Sequence, residues 1–173
     1  MARLLAGTLL FATGFLAWPF LEYAIHGLLS HRFRTFASPL HWEHHRDPSR
    51  VFTSILAWGP SALLLFGVAA LLIGPAAAGA FSGGILAGFL RYEHVHWRIH
   101  FRAPRNERQR IQRAHHLAHH FCDPNAYFGV TTRHLDRLFG SLPAQHRADY
   151  ERVIDHPPLR GASNFGTLWP RRV

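Results

Sequence analysis

Long apolar blocks separated by polar segments dominate the first half of the chain. The first block covers residues 4–20, and two more cover residues 51–73 and 76–90. At about 1.5 Å per residue, a block of this length covers most of the roughly 30 Å hydrocarbon core of a bilayer. Gly74-Pro75, between the second and third blocks, is typical of a turn. The pattern therefore predicts one membrane-spanning helix followed by a helical hairpin.

The second half of the chain has a different character. Beyond Arg102 no apolar run approaches membrane length, so we expect a cap of short helices outside the bilayer. The last thirty or so residues contain Pro143, Pro157, Pro158 and Pro170, and we expect them to be irregular.

The predicted fold is an all-α integral membrane protein with about three transmembrane helices, one plus a hairpin, and a helical, histidine-rich cytoplasmic cap. A chain of 173 residues favours one domain, so we interpret residues 1–173 as a single membrane-embedded unit. Its predicted parts are spans at approximately 4–25, 51–73 and 76–92, and cap segments at 26–50 and 93–173.

Glycines recur every four residues in the third block, as Gly79 with Gly83 and Gly84 with Gly88. Such spacing lets helix backbones approach closely in lipid, so we assign these glycines to packing. Pro60, inside the second block, predicts either a kink or a later start of that helix.

Positive charge is excluded from the apolar blocks. All 19 basic residues are Arg, and the stretches 4–30 and 51–90 contain none. The arginines that flank the hairpin lie beside the histidines: Arg32, Arg34, Arg46 and Arg50 before it, and Arg91, Arg98 and others after it. Because Arg is retained on the cytoplasmic side, we predict that the histidines and the C-terminus are cytoplasmic and the N-terminus lies opposite.

Two other interpretations of these features are less favoured. A net charge of +9 could indicate nucleic acid, but such binders spread their basic residues over a polar face, so we expect no nucleic-acid partner. The first 20 residues could be a signal peptide that starts at Arg3. No small-x-small cleavage site follows, however, and cleavage would leave His26 and His31 without their helix.

Histidine is the compositional anomaly. Ten of the 15 histidines fall in four clusters: His26 and His31; His41, His44 and His45; His96 and His100; His116, His119 and His120. The other five, which we interpret as surface or core residues, are His94, His115, His134, His146 and His156.

The spacing of the clusters predicts a pair of metal ions. Side chains three or four residues apart share a helix face, whereas adjacent ones diverge by about 100°. Each HxxHH cluster should therefore supply both of two neighbouring ions, with up to five nitrogens for each. His26 and His31 are about 140° apart on an ideal α-helix, so we expect the helix to end between them or the pair to serve different ions.

The available ligand types narrow the choice of metal. Cys122 is the only cysteine, which excludes a disulfide framework and a thiolate cluster. The lack of cysteine and scarcity of carboxylates near the histidines exclude a zinc finger and a carboxylate-bridged di-iron bundle. Neutral imidazole suits iron, copper, nickel and zinc. Iron is favoured because it changes redox state, although zinc can occupy such a site in a purified sample.

The ordered motifs resemble the fatty acid hydroxylase and sterol desaturase superfamily, and within it the fatty acid 2-hydroxylases. The resemblance covers about residues 20–141. It is carried by Glu22-Tyr23-x2-His26-x4-His31, His41-x2-His44-His45-x2-Pro48, Tyr92-Glu93-x2-His96-x3-His100, His116-x2-His119-His120-Phe121, Phe128-Gly129-Val130-Thr131 and Asp136-x2-Phe139-Gly140.

This resemblance implies that all ten clustered histidines bind two iron ions, with no further catalytic residue assigned. It implies insertion of one oxygen atom from O2 into a C–H bond of a membrane lipid, with 2-hydroxylation of a fatty acid or of a sphingolipid such as ceramide as the expected reaction. We expect a separate electron donor of the cytochrome b5, ferredoxin or reductase type, because no fused cytochrome b5 domain is present. A second departure is His134, which stands where an aromatic residue is expected.

Four acids are candidates for orienting the imidazoles, although each could equally be a helix cap or an Arg partner: Glu22, Glu93, Asp123 and Asp136.

Two alternative functions stay open. A sterol or carotenoid hydroxylase or desaturase would share the histidine clusters and differ in its substrate channel. A non-catalytic membrane protein that binds or transports metal is the alternative of another class. Transporters place their ligands near the membrane midplane, however, whereas residues 4–25 and 51–90 contain no His.

Overall fold

The structure, a computed structural model, describes residues 1–33 and 35–163. Arg34, which contributed to the prediction of sidedness, lies outside the described residues, as does Pro170. Every element in the described part is helical, which confirms the predicted all-α class. In chain order the elements are α1 (Ala2–Tyr23), a π-helix (Ala24–Arg32) that continues α1, α2 (Ala37–Arg46), α3 (Ile55–Ile73), α4 (Pro75–Phe101), α5 (Glu107–Phe121), α6 (His134–Phe139) and α7 (His146–Val153).

Two helical stretches are long and apolar enough to cross a membrane. They are Ala2–Arg32 and Ile55–Ile73. In the most apolar 18-residue stretch of each, only 11% and 6% of the residues are buried, whereas the core helix of a soluble protein would be mostly buried. These outward-facing apolar surfaces suit lipid. The third predicted span, within α4, stays a prediction.

The hairpin of α3 and α4 follows the predicted turn. Gly74 has a positive φ of 81°, which glycine adopts at no steric cost, and Pro75 is the first residue of α4. The helix α3 begins at Ile55, later than the predicted Val51, and Pro60 lies inside it.

Glycine brings the backbones of α1 and α4 into contact. A Cβ atom on Gly14 would lie 2.1 Å from the Phe81 carbonyl oxygen, and one on Gly84 would lie 2.0 Å from the Phe11 carbonyl oxygen. A Cβ atom on Gly88 would lie 2.3 Å from the Trp18 side chain. The packing role is therefore confirmed for the 84/88 pair.

The C-terminal part of α4 extends the hairpin towards the cap. At about 1.5 Å per residue, its 27 residues span about 40 Å, which exceeds the hydrocarbon thickness. The cap has its own apolar core, in which α5 and α7 pack together with Tyr127. Tyr150 and Val153 anchor α7 in this core, so the prediction that the last thirty or so residues are irregular is wrong for residues 146–153.

Replacing Gly84 with Ala tests the contact between α1 and α4. The added methyl group meets a backbone oxygen that cannot swing aside, so we expect a loss of about 1–3 kcal/mol of stability. Thermal unfolding in a fixed detergent measures this loss. Gly79→Ala, on the same helix, is the matched control, because no described atom outside its own stretch of helix lies within 4 Å of the added carbon. Equal unfolding temperatures for the two variants would contradict the close approach.

Candidate metal centre

The ten clustered histidines converge in two groups of five. Group A consists of His26, His31, His41, His45 and His119. Group B consists of His44, His96, His100, His116 and His120. Within each group, one ring nitrogen from every residue lies within 4.8 Å of all the others. Either group could hold a metal ion, and the stacked rings of His45 and His120, 4.4 Å apart, place the groups side by side.

Both HxxHH clusters divide between the groups as predicted. The helix α2 supplies His41 and His45 to group A, and α5 supplies His116 and His120 to group B. These pairs are four residues apart and share a helix face. Their neighbours, His44 and His119, point about 100° away and enter the other group.

A π-helix resolves the pairing of His26 with His31. The expectation that the helix ends between them or that they serve different ions is wrong, because both lie in Ala24–Arg32 and both enter group A. A π-helix has about 4.4 residues per turn, so residues five apart are only about 50° apart in direction. The wider turn thus brings both imidazoles to one face.

Four Nε2 atoms in each group form a closed ring with nearly equal edges. In group A the edges are His26–His41 3.1 Å, His41–His45 2.9 Å, His45–His119 3.0 Å and His119–His26 3.0 Å. In group B they are His44–His96 3.0 Å, His96–His116 3.1 Å, His116–His120 3.2 Å and His120–His44 3.1 Å.

These edges have the size that a shared metal ion would impose. For metal–nitrogen bonds of about 2.1 Å, neighbouring nitrogens are about 3.0 Å apart at right angles and about 3.4 Å apart in a tetrahedron. The observed edges match the right-angled arrangement. Both groups therefore fit an ion of high coordination number better than a closed tetrahedral zinc site.

The contacts within these rings include pairs that cannot be hydrogen bonds. Nδ1 of His26 donates to the Phe128 carbonyl oxygen at 2.5 Å, and Nδ1 of His119 donates to the Ala126 carbonyl oxygen at 2.7 Å. A neutral imidazole with its proton on Nδ1 has only a lone pair on Nε2. The Nε2 atoms of His26 and His119 thus present lone pairs to each other at 3.0 Å, which a cation between them would stabilise.

Group B contains the same arrangement. Nδ1 of His44 donates to the Arg50 carbonyl oxygen at 3.2 Å, and Nδ1 of His96 donates to the Val51 carbonyl oxygen at 3.1 Å. Their Nε2 atoms are 3.0 Å apart. A lone-pair contact therefore occurs in each group, and both suit a bound cation.

Burial keeps the imidazoles of the cap unprotonated. It lowers the pKa of His45 to about 4. Burial and the neighbouring histidines also hold the pKa values of the other cap imidazoles in α2 and α5 well below the usual range: His41, His44, His116, His119 and His120. At neutral pH the nitrogens thus carry the free lone pairs that metal binding requires.

His31 adds a buried group that lacks a hydrogen-bond partner. Neither ring nitrogen of His31 has a partner among the described residues, although both are shielded from solvent. A buried polar atom without a partner is costly. Its ring centroid lies 4.6–5.4 Å from those of the other four imidazoles of group A, which makes it a candidate fifth nitrogen ligand.

Two buried carboxylates fix the loop that supplies the Phe128 and Ala126 carbonyls. Asp136 accepts hydrogen bonds from the backbone amides of Phe128 and Gly129, at 2.7 and 2.9 Å. Glu22 accepts from the amides of Val130 and Thr131, at 2.7 and 2.8 Å. Both acids therefore act on the imidazoles through the backbone, a route that the sequence did not reveal.

Glu93 plays the corresponding part for group B. Its carboxylate accepts hydrogen bonds from the amide and the hydroxyl of Thr53, at 3.1 and 2.8 Å. Thr53 lies two residues after Val51, whose carbonyl accepts from His96. Tyr92 stacks on the His96 ring, with 5.5 Å between the ring centroids. Three of the four candidate acids thus support the groups.

Asp123, the fourth candidate, caps a local turn instead, because it accepts from the amide of Asn125 at 2.8 Å. None of the five isolated histidines enters either group. Of these, His115 is fully buried, with Nδ1 2.6 Å from the Tyr150 hydroxyl and Nε2 3.0 Å from Asp136. Sequence reasoning missed this contact, since Tyr150 lies on a helix that was not predicted.

An apolar groove of about 370 Å³ lies between the start of α3 and the outer face of α4. Its walls include Phe52, Trp58, Phe89, Leu90 and Trp97. Thr53 and Glu93 also line it, so the groove borders the segment that supports His96. The groove therefore lies beside the residues that support His96 of group B.

Replacing Asp136 with Asn tests the support of the loop. The amide keeps the size of the side chain but can accept through only one oxygen, so a buried backbone amide loses its partner, at a cost of about 1–3 kcal/mol. We expect a lower unfolding temperature and faster hydrogen exchange at Phe128 and Gly129. Asp123→Asn is the control. Its loss of stability should stay within about 0.5 kcal/mol, because the Asp123 carboxylate is near the surface. Unchanged exchange in Asp136→Asn would contradict the role of this carboxylate.

Comparison with known proteins gives a consistent result. The fatty acid hydroxylase family profile matches residues 11–141. The chain is 33% identical over 144 residues to a dihydroceramide fatty acyl 2-hydroxylase of Arabidopsis thaliana, covering 78% of this chain and 61% of that protein. It is 32% identical over 146 residues to the fatty acid 2-hydroxylase of Mus musculus, covering 77% of this chain and 39% of that protein.

A solved structure of full-length scs7p, in which only the hydroxylase domain is visible, has a similar fold. The TM-score is 0.65 at 26% identity, covering 90% of this chain and 60% of that chain. The chain thus spans less than two thirds of the length of each of these relatives. The family match over most of the chain confirms the resemblance seen in the motifs: the chain belongs to the fatty acid hydroxylase family.

Proposed function

We propose that this protein is a membrane-embedded di-iron monooxygenase that hydroxylates a lipid acyl chain, with O2 as co-substrate. The expected position is carbon 2 of a fatty acid or of a sphingolipid such as ceramide. The observation that carries the proposal is the pair of Nε2 rings, in which lone pairs face each other at about 3.0 Å. The names of the relatives, dihydroceramide fatty acyl 2-hydroxylase and fatty acid 2-hydroxylase, support the reaction class.

Group A and group B would each hold one iron ion through five imidazoles. Iron bound there supplies the redox chemistry that activates dioxygen, which zinc cannot supply. The chain's own contribution is to keep the Nε2 atoms unprotonated through burial and the carbonyl contacts at Nδ1. The absence of carboxylates from the two groups, among the described residues, leaves ten neutral nitrogens as the candidate ligands.

The apolar groove is the proposed path for the acyl chain. Its lining includes Leu90, the last apolar residue of the third block, and Glu93, which lies one turn before His96. A lipid tail could therefore enter from the hydrocarbon core and approach group B with little exposure to water. Because the tail would pass from one apolar environment to another, its transfer into the groove would cost little hydrophobic free energy.

The proposed arrangement in the membrane keeps the predicted boundaries, although the helix of the second span itself begins at Ile55. Three spans near residues 4–25, 51–73 and 76–92 would place cap segments 26–50 and 93–173 on the cytoplasmic side, with residues 1–173 acting as one domain. The two candidate membrane helices support this arrangement. Electrons would come from a redox partner.

Replacing His119 or His44 with Ala tests the two groups separately. His119→Ala should weaken binding at group A and His44→Ala binding at group B, so we expect metal content to fall from about two ions per chain towards one. Hydroxylated product should fall at least about a hundredfold in both variants, because the proposed reaction uses both ions. Elemental analysis of purified protein and lipid mass spectrometry of expressing cells measure these effects.

His134→Ala is the matched control, because His134 is exposed and outside both groups. Normal turnover by His119→Ala would end the proposal. Comparison of cells with and without the gene separates the remaining functions. A change in 2-hydroxylated acyl chains supports the proposal, a change in sterols or carotenoids indicates the related enzymes, and a change in metal content alone indicates a non-catalytic protein.

Replacing Leu90 with Trp tests the groove. The larger side chain narrows the groove, so we expect longer acyl chains to be hydroxylated less well and KM for them to rise by about threefold or more. Leu86→Trp is the control, since Leu86 is exposed on the same helix one turn earlier and is not part of the groove lining. If both variants show the same chain-length profile as the parent protein, the acyl chain follows another path.

A further inference from the structure

Arginines gather where α4 ends and α5 begins. Residues 98–113 contain six arginines and one acid, Glu107, a net charge of +5 from six minus one. The exposed members, which we call the arginine surface, are Arg102, Arg105, Arg108 and Arg110. Several positive charges thus lie close together here, although they repel one another.

The arginine surface adjoins group B. Buried Arg113 joins the two helices, because its Nε donates to the Ile99 carbonyl oxygen at 2.9 Å. Ile99 precedes His100 on α4, and Arg113 lies one turn before His116 on α5. The Nε2 atoms of His100 and His116 are 3.0 Å apart. The same two helix segments therefore carry the surface charges and the imidazoles.

The distance of the arginine surface from the hydrocarbon core favours a protein over a lipid headgroup as its partner. Arg102 follows Leu90 by 12 residues, nearly all within α4, a rise of about 18 Å. The headgroup layer on each side of a bilayer is roughly 5–7 Å thick. With α4 crossing the membrane as proposed above, Arg102 lies beyond the lipid phosphates. Soluble acidic proteins can reach it there.

We infer that the arginine surface docks an acidic one-electron redox protein, which delivers electrons through group B. This inference rests on the proposed function, whose balance requires a reductant: R–H + O2 + 2 e⁻ + 2 H⁺ → R–OH + H2O. One oxygen atom enters the C–H bond, and the other leaves as water. The docked protein is oxidised by one electron in each of two encounters. Complementary charge steers such encounters and makes their rate fall with ionic strength.

The test compares two double variants with the same change in charge. Arg105→Glu with Arg108→Glu reverses the arginine surface, and Arg147→Glu with Arg160→Glu reverses exposed arginines outside it. Both proteins are placed in phosphatidylcholine nanodiscs, and reduced acidic cytochrome b5 or [2Fe–2S] ferredoxin is mixed with them. We expect the first variant to oxidise the donor at least about tenfold more slowly at low salt and to bind immobilised donor more weakly. The rate should also lose most of its salt dependence. The rate of donor oxidation by the control variant should stay within about twofold of the parent's rate.

Turnover driven by dithionite with a small mediator separates docking from catalysis. The inference expects equal dithionite-driven hydroxylation in the parent and in the arginine-surface variant. If the parent makes no hydroxylated lipid with either reductant, the proposed function fails, and donor binding still reports on docking. If the glutamate variant does not fold, Arg105→Gln with Arg108→Gln takes its place.

Two outcomes would overturn the inference. One is equal donor oxidation by the arginine-surface variant and its control. The other outcome combines two results. The arginine-surface variant oxidises the donor at the parent's rate, and added phosphatidylglycerol raises the thermal stability of the parent and the control but not of this variant. That second outcome would assign the surface to anionic lipid.

Discussion

Hydrogen bonds from imidazole Nδ1 atoms to backbone carbonyls determine the chemistry of this protein. A carbonyl oxygen can only accept, so each such bond leaves a lone pair on Nε2. The bonds from His26 to Phe128 and from His44 to Arg50 illustrate the arrangement. Lone pairs that face each other at about 3.0 Å repel unless a cation lies between them. The fold thus uses packing and backbone contacts to hold nitrogens in positions that favour metal, and group A and group B are two instances of this constraint.

Helix geometry decides which imidazole reaches which group. The spacing of His41, His44 and His45 predicted that one cluster would serve two ions, because adjacent residues on an α-helix diverge by about 100°. That prediction needed only local geometry, as did the turn at Gly74. The shared direction of His26 and His31 was beyond sequence reasoning. It depends on a π-helix, for which there is no reliable sequence signal. A π-helix persists only where the surrounding structure supports it.

Long-range contacts account for what the sequence could not predict. Glu22 was identified as a candidate, but its partners are backbone amides 108 and 109 residues away, and no spacing rule relates them. The buried carboxylate of Asp136 has the same function from the other side of the loop. Helix α7 was missed because prolines lie on both sides of it, at Pro143 and Pro157, and because its charged residues obscure the two positions, Tyr150 and Val153, that pack into the cap core. In each case tertiary contact overrides the local pattern.

The two longest helices share a glycine contact and lead from it to different histidine groups. From Gly14, α1 continues through the π-helix to His26 and His31 in group A, while α4 continues from Gly84 to His96 and His100 in group B. Packed helices behave as stiff rods, so sliding one rod along the other changes the separation of their far ends. The spacing between group A and group B, the two candidate metal sites, is therefore a mechanical property of the contact between α1 and α4.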